Sequence, residues 1–400
     1  MCRPVAGPDQ TRGGLTLAAV LDAGLPLFRR TYRLPRYQWK ILSAIQQCRT
    51  PALGGHRYQC AQCGREHFVP HGCGNRHCPQ CQGAQAFEWL ERQRAVLLPI
   101  PYFHVVFTLT HALNPLIGQN RRALYQLLFD AASQTLLQFG RQRFQAQIGV
   151  TAVLHTWGQK LGDHYHLHCI VTGGGWASNG TGWVRSGRHY LFPIRALSKV
   201  FGGKFRAGLQ TLYAQGKLEF HGEVAALARP TAWAAFGQML QGQKWVVYAK
   251  RPFAGPEQVL AYLSRYPHRV AISPRRLLAL TETKVTFSYK DYADGHRRKP
   301  LTLDLPEFVR RFCLHLLPER FVKIRHYGLL GNRHRQERIA RVRVALGVPP
   351  APVAAPPPAE PAAATESRLR CPHCGALALI WLEEIPRPSR RPRVPSIDTS

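Results

Sequence analysis

The 400-residue chain is short of acid: 22 Asp and Glu stand against 54 Lys and Arg, a formal net charge of +32. Nothing in fold physics requires that excess, so it implies a polyanionic partner, most simply nucleic acid, held with salt-dependent affinity. Long apolar runs are also missing. No stretch approaches the roughly 18 apolar residues of a membrane span, and the opening MCRPVAGPDQTRGG lacks the apolar centre of a secretory signal. A membrane protein and an exported one are both disfavoured; a cytoplasmic, nucleoid-associated protein is the expectation. In that reducing setting the 11 Cys stay as thiols, and clustered ones read as metal ligands rather than disulfides. With 45% hydrophobic residues most of the chain should fold, into two or more domains.

What is present centres on residues 151–175, TAVLHTWGQKLGDHYHLHCIVTGGG. His164, His166 and His168 alternate with Tyr165 and Leu167, so on a strand the three imidazoles share one face. Residues 153–159 also alternate, with His155, Trp157 and Gln159 on one side. Residues 160–163 read as a polar turn, and Gly173–Gly175 as the end of the second strand. A lone His on a strand is usually a surface or satisfied core residue. Several on one hairpin face are harder to dismiss: cations would repel, and buried neutral rings would each need a partner. A divalent metal resolves this, because neutral imidazole is a good ligand. With a four-residue turn, His155 pairs opposite His168 and Gln159 opposite His164. His155 is therefore the preferred third ligand, with Gln159 and His164 as alternatives.

Residues 56–82, HRYQCAQCGREHFVPHGCGNRHCPQCQ, carry two Cys-x-x-Cys pairs, Cys60/Cys63 and Cys78/Cys81, separated by 14 residues. Two such knuckles complete a tetrahedral sulfur site selective for Zn²⁺, at a spacing close to that of zinc ribbons. Four sulfurs close the coordination sphere, so this zinc is expected to be structural. Cys48, His56, His67, Cys73 and His77 lie close enough in sequence to form a second site or to replace one Cys. Arg57, Arg65 and Arg76 suit the module to DNA contact.

Helices are expected over residues 15–47, 84–98, 120–147, 197–213 and 304–317, and strands over 102–110, 243–250 and 284–291. A further short hairpin is expected over 183–192. Residues 256–267, PEQVLAYLSRYP, form a short helix closed by Pro267. It sets Tyr262 and Tyr266 one turn apart on one face. Alone, such a pair is most often core packing; the surrounding Arg265, Arg269, Arg275 and Arg276 favour a phosphate site. Residues 347–366 are a Pro/Ala-rich linker. The tail 367–400, expected to be disordered, carries Cys371-Pro-His-Cys374, a knuckle with no second pair nearby.

A metal on histidines, two tyrosines and a basic surface converge on one reaction. A phenol attacks a DNA phosphodiester with metal assistance, and a 5′-phosphotyrosine link conserves the bond energy for rejoining. DHYHLHCIVTGGG, YLSRYPHRVAIS and the region of residues 60–81, with VTFSYKDY, EFVRRFCLHLLP and KIRHYGLL further on, resemble the rolling-circle insertion-sequence transposases of family ninety-one. These are two-tyrosine nucleases with a His-hydrophobe-His motif. The resemblance covers residues 15–343. It implies an α+β fold whose central antiparallel sheet, flanked by helices, bears the hairpin, preceded by a small zinc-ribbon-like module. It further implies His166 and His168 as metal ligands, Tyr262 and Tyr266 as nucleophiles, Mg²⁺ or Mn²⁺ at the catalytic centre, and single-stranded transposon ends and target DNA as substrates. The domains expected are a helical segment 1–50, a zinc module 51–84, a nuclease domain 85–346, the linker and the tail. A non-catalytic zinc-dependent DNA-binding regulator and a plasmid replication initiator or relaxase are the competing readings.

Overall fold

The computed structural model describes residues 14–94, 96–187, 191–250, 253, 258, 259, 262, 270–349 and 370–388. Helices α1 (Leu17–Thr31) and α2 (Arg36–Gln46) lead into a hairpin of β1 (Gly55–Cys60) and β2 (Glu66–Pro70), then α3 (Gln82–Arg94). Next come β3 (Tyr102–Thr108), α4 (Asn114–Gln119), α5 (Arg121–Phe144), β4 (Ala146–Trp157), β5 (Asp163–Ala177) and β6 (Trp183–Arg185). Helices α6 (Ile194–Ala214) and α7 (Pro230–Gly242) precede β7 (Val246–Lys250). The chain closes with β8 (Leu277–Leu280), β9 (Lys284–Asp291), β10 (Arg297–Asp304), α8 (Leu305–Leu314), β11 (Ile324–Gly328), α9 (Arg335–Ala345) and β12 (Leu379–Ile385). The fold is α+β, as expected, with antiparallel sheets and flanking helices.

The central sheet runs β11-β4-β5-β3-β7, with β6 paired to β5, and every pairing is antiparallel. Its strands alternate as their sequences dictate. Phe103, Val105 and Phe107 of β3, Val150, Ala152 and Leu154 of β4, and Tyr165, Leu167 and Cys169 of β5 bury against Leu124, Leu128 and Phe129 of α5 and Phe201 and Phe205 of α6. Truncating Phe107 or Leu167, both fully buried, would cost about 2–5 kcal/mol each. The residues between them, including His104, His155, His166 and His168, therefore face the other way. On that second face Ile170 packs with Trp89, Ile339, Val342 and Val259, and Tyr262 lies against the same cluster. Val259 and Tyr262 are thus placed over the same face as the histidines by the sheet's own period.

A separate core joins distant parts of the chain. Leu17, Leu21, Leu25 and Phe28 of α1 pack with Leu305, Phe308, Val309 and Phe312 around α8. Thr16 caps α1 by accepting from the Ala19 N–H at 3.2 Å.

Four local expectations change. The single helix over 15–47 is two, because Pro35 disfavours helical geometry at Leu34. The Gly173–Gly175 run does not end β5, which continues to Ala177. Glycine is needed there because neighbouring backbone comes close: a Cβ at Gly173 would lie 2.7 Å from the Pro101 carbonyl oxygen, and one at Gly175 2.6 Å from that of Gln147. The second hairpin over 183–192 is reduced, among the described residues, to β6 on the edge of β5. Finally, residues 370–388 are ordered: β12 pairs with β1 from Gly55↔Ile385 to Cys60↔Leu379. Among the described residues no helix is long and apolar enough to cross a membrane.

Candidate metal centre and sulfur clusters

Strand β5 lies between β4 and β3, so its histidines meet side chains from both neighbours. His155, His166 and His168 bring one ring nitrogen each within 4.8 Å of one another. Their ring centroids are 5.4 Å (155–166), 4.6 Å (155–168) and 4.9 Å (166–168) apart. His164 is not one of the group, although its ring lies 4.8 Å from that of His166; its Nδ1 is 3.4 Å from His111 Nε2. Gln159 is engaged elsewhere, accepting from the Lys290 N–H and reaching the Tyr292 hydroxyl. The three-imidazole set is therefore completed by His155.

The register that achieves this differs from the one anticipated. His155 pairs with His166, and Val153 with His168, across a shift between His155 and Trp157. The turn is longer than four residues: the Gly158 N–H donates to the Gly162 carbonyl oxygen at 2.9 Å, and Leu161 takes φ 59°. The bulge keeps His155 on the metal-facing side in spite of the changed partner.

Neighbouring groups set ring orientation. His166 Nδ1 lies 2.8 Å from the His164 carbonyl oxygen, which can only accept. Nδ1 therefore carries the proton, which leaves the lone pair on Nε2 available to a ligand. Trp157 stacks on His155, centroids 4.7 Å apart. His104 of β3 lies with Nε2 2.9 Å from His168 Nδ1, and burial, Lys250 and His166 hold its pKa down at about 4, so it is neutral at pH 7. Its polar-face position in YFHVVFT was the signal that could have found it.

Tyr262 is half-buried. Its hydroxyl sits 2.7 Å from His104 Nε2 and 3.2 Å from His168 Nδ1, with the ring beside Phe253 at 5.1 Å. Tyr266, Arg265 and Arg269 lie outside the described residues. Arg275 is exposed. Arg276 does not fit the phosphate contact expected of it: its guanidinium donates to the carbonyl oxygens of Ser288 (2.8 Å), Ala271 (3.2 Å) and Gln159. That commitment makes it a brace between the hairpin turn and β9.

The cysteines form two quartets, and neither is the expected Cys60/Cys63/Cys78/Cys81 set. Cys78 and Cys81 join Cys48 and Cys73, while Cys60 and Cys63 join Cys371 and Cys374. In the first quartet Sγ separations are 3.5 Å (48–81), 3.5 Å (48–78) and 3.7 Å (73–81). A tetrahedral Zn–S bond of about 2.3 Å implies edges of about 3.8 Å, so the donors fit zinc. Pairing by sequence proximity failed because β1 and β2 carry the first knuckle away from the second. His77, alternative ligand in the sequence, is half-buried, held by desolvation at a pKa of about 3, and accepts from the Leu317 N–H at 3.3 Å. Arg76 beside it donates to the carbonyls of Pro318 and Phe321. Together they fasten the first quartet to the segment leading into β11.

Comparison with known proteins follows the same division. A family described as "Transposase zinc-binding domain" matches residues 20–109, and one described as "Putative transposase" matches residues 149–338. The chain is 44% identical over 359 residues to "Putative transposase y4qJ" of Sinorhizobium fredii, covering 86% of this chain and 89% of the relative. It is 28% identical over 337 residues to the "Transposase for insertion sequence element IS801" of Pseudomonas savastanoi pv. phaseolicola, covering 82% and 80%. No solved structure matches it.

Proposed function

Because the chain belongs to the family-ninety-one insertion-sequence transposases, with their N-terminal zinc-binding region, we propose that it cuts and rejoins single-stranded transposon ends by tyrosine attack on a phosphodiester. The observation that carries this reading is the Tyr262 hydroxyl 3.2 Å from His168, on the rim of the His155/His166/His168 cluster. A phenol at a metal-ligand cluster on a basic protein has a ready use; a phenol in a purely structural role has no need of one.

The chain's own groups divide the work. Tyr262 supplies the nucleophilic oxygen: its new bond to phosphorus replaces the bond to the 3′ oxygen. The phenolic proton is lost, the departing 3′ oxygen gains one, and the 5′ end stays on the protein. His104, neutral and 2.7 Å from the hydroxyl, orients the phenol. Imidazoles from His155, His166 and His168 would hold a divalent ion, which when bound supplies Lewis-acid polarisation of the phosphate. Three nitrogen donors suit Mn²⁺ better than Mg²⁺, which prefers oxygen. Tyr266, four residues after Tyr262 in the sequence, would serve a second cut while the first end remains attached. Arg265, Arg269 and Arg275 would meet the DNA backbone, and target DNA would accept the transferred end. Such work places the protein at the nucleoid.

The test is incubation with a labelled single-stranded transposon end and Mn²⁺, followed by denaturing electrophoresis. A protein band carrying label is expected, and it should vanish in Tyr262→Phe/Tyr266→Phe. Binding that never yields a linked species, in every metal tried, would leave a DNA-binding regulator.

A further inference from the structure

The Cys60/Cys63/Cys371/Cys374 quartet lies half outside the matched zinc-binding region, which ends at residue 109, and its construction repeats one turn twice. In Cys60-Ala-Gln-Cys63-Gly64 the Gly64 N–H donates to the Cys60 carbonyl at 2.8 Å; in Cys371-Pro-His-Cys374-Gly375 the Gly375 N–H donates to the Cys371 carbonyl at 2.9 Å. Each first cysteine in turn donates its own N–H two residues beyond the second: Cys60 to Arg65 O at 2.9 Å, Cys371 to Ala376 O at 2.7 Å. Gly64 and Gly375 take φ 69° and 77°. A Cβ at either would meet nothing within 4 Å, so glycine is required by the left-handed backbone and not by space. The Sγ atoms pair across the two turns at 3.6 Å (60–374) and 3.7 Å (63–371). These are the edges of a zinc tetrahedron and far longer than the roughly 2 Å of a disulfide.

We infer that these four thiolates bind a second structural zinc ion, which fastens the end of the chain to the N-terminal module and makes one ribbon from two remote pieces. The local core is too small to do this unaided: the buried members there are Tyr58, Leu379, Cys60 and Cys371. Four thiolates on Zn²⁺ leave a net charge of −2, and the surroundings answer it. His67 Nε2 lies 3.2 Å from Cys371 Sγ, and Arg65 reaches His373 at 3.1 Å. The link closes a loop of 308 residues between Cys63 and Cys371, where a crosslink removes much freedom from the unfolded chain. On the ribbon, Arg57 pairs with Glu383 at 2.5 Å, adding register but little holding power at an exposed site.

The test is zinc content of the full-length protein in a His166→Ala/His168→Ala background, so that only sulfur sites are counted. Two zinc ions per chain are expected, falling to one in Cys371→Ser/Cys374→Ser. An unchanged count, or one ion before the change, overturns the inference; so does loss of four free thiols without metal, which would assign disulfides. Because a serine variant can misfold, a second measurement uses the unaltered quartet. A protease site placed in the Pro/Ala-rich linker is cut, and the C-terminal piece should co-elute with the body until a chelator is added. A piece that separates in the presence of zinc, or that stays after its removal, sinks the proposal.

Discussion

The histidine-bearing face of the central sheet and the cysteine quartets both gather groups that could hold a metal ion, but they are built to opposite ends. The sulfur sets are closed, four donors each, and sit where the surrounding core is thin or where remote segments meet. The imidazole set has three donors, a phenol on its rim, and a full hydrophobic core on the reverse of the same strands. A closed sphere holds structure; an incomplete one over a self-sufficient core leaves coordination positions for a substrate. The contrast predicts that damage to one region is read in activity and damage to the other in folding.

The largest effect should come from the histidines. His166→Ala or His168→Ala is expected to lower strand cleavage at least ~1,000-fold, about 4 kcal/mol of barrier, while DNA retention on a filter is kept, because phosphate contacts come from elsewhere. Equal loss of binding would erase the division. Cys78→Ser should do the reverse, costing roughly 3–5 kcal/mol in thermal unfolding, since Cys78 is buried in the core that joins α1 to α8. Full thermal stability after that change would count against a structural ion there. Tyr262→Phe removes one oxygen, so stability should move by about 1 kcal/mol or less; peptide mapping should find no nucleotide adduct at position 262.

The smallest effect is electrostatic. The Arg310 and Arg311 guanidinium groups hold Glu307 at a pKa of about 2, below its ordinary 4.5, and Arg311 also donates to Lys160 O on the turn between β4 and β5. A depressed carboxylate pKa adds stability above pH about 4.5 and loses it as pH falls through about 2. Glu307→Gln should therefore cost about 1 kcal/mol at pH 7, discounted for partial exposure, and nothing near pH 2. A cost independent of pH would mean packing, not charge.

Much of the imidazole face was legible because a strand's period is short and rigid: once His164, His166 and His168 alternate, the side they share is settled. Which of them gather was not legible, since that depends on the bulge after His155 and on the contact between His164 and His111. His155 does lie with His166 and His168, although through another register than the one expected. The cysteine partners were illegible for a different reason. A Cys-x-x-Cys knuckle carries no mark of its mate, and Cys78/Cys81 lies far nearer Cys60/Cys63 in sequence than Cys371/Cys374 does. Arg276 was misread because a guanidinium that braces carbonyls looks, in sequence, like one that awaits phosphate.

The span between Cys63 and Cys371 also sets a schedule for synthesis. At about 5–20 residues per second, the separation of 308 positions takes a ribosome roughly 15–60 s. Throughout that interval Cys60 and Cys63 exist without their mates, and a message cut short leaves them so for good. Cys60 and Cys63 wait for Cys371 and Cys374, so this cage can close only once the second knuckle has been made.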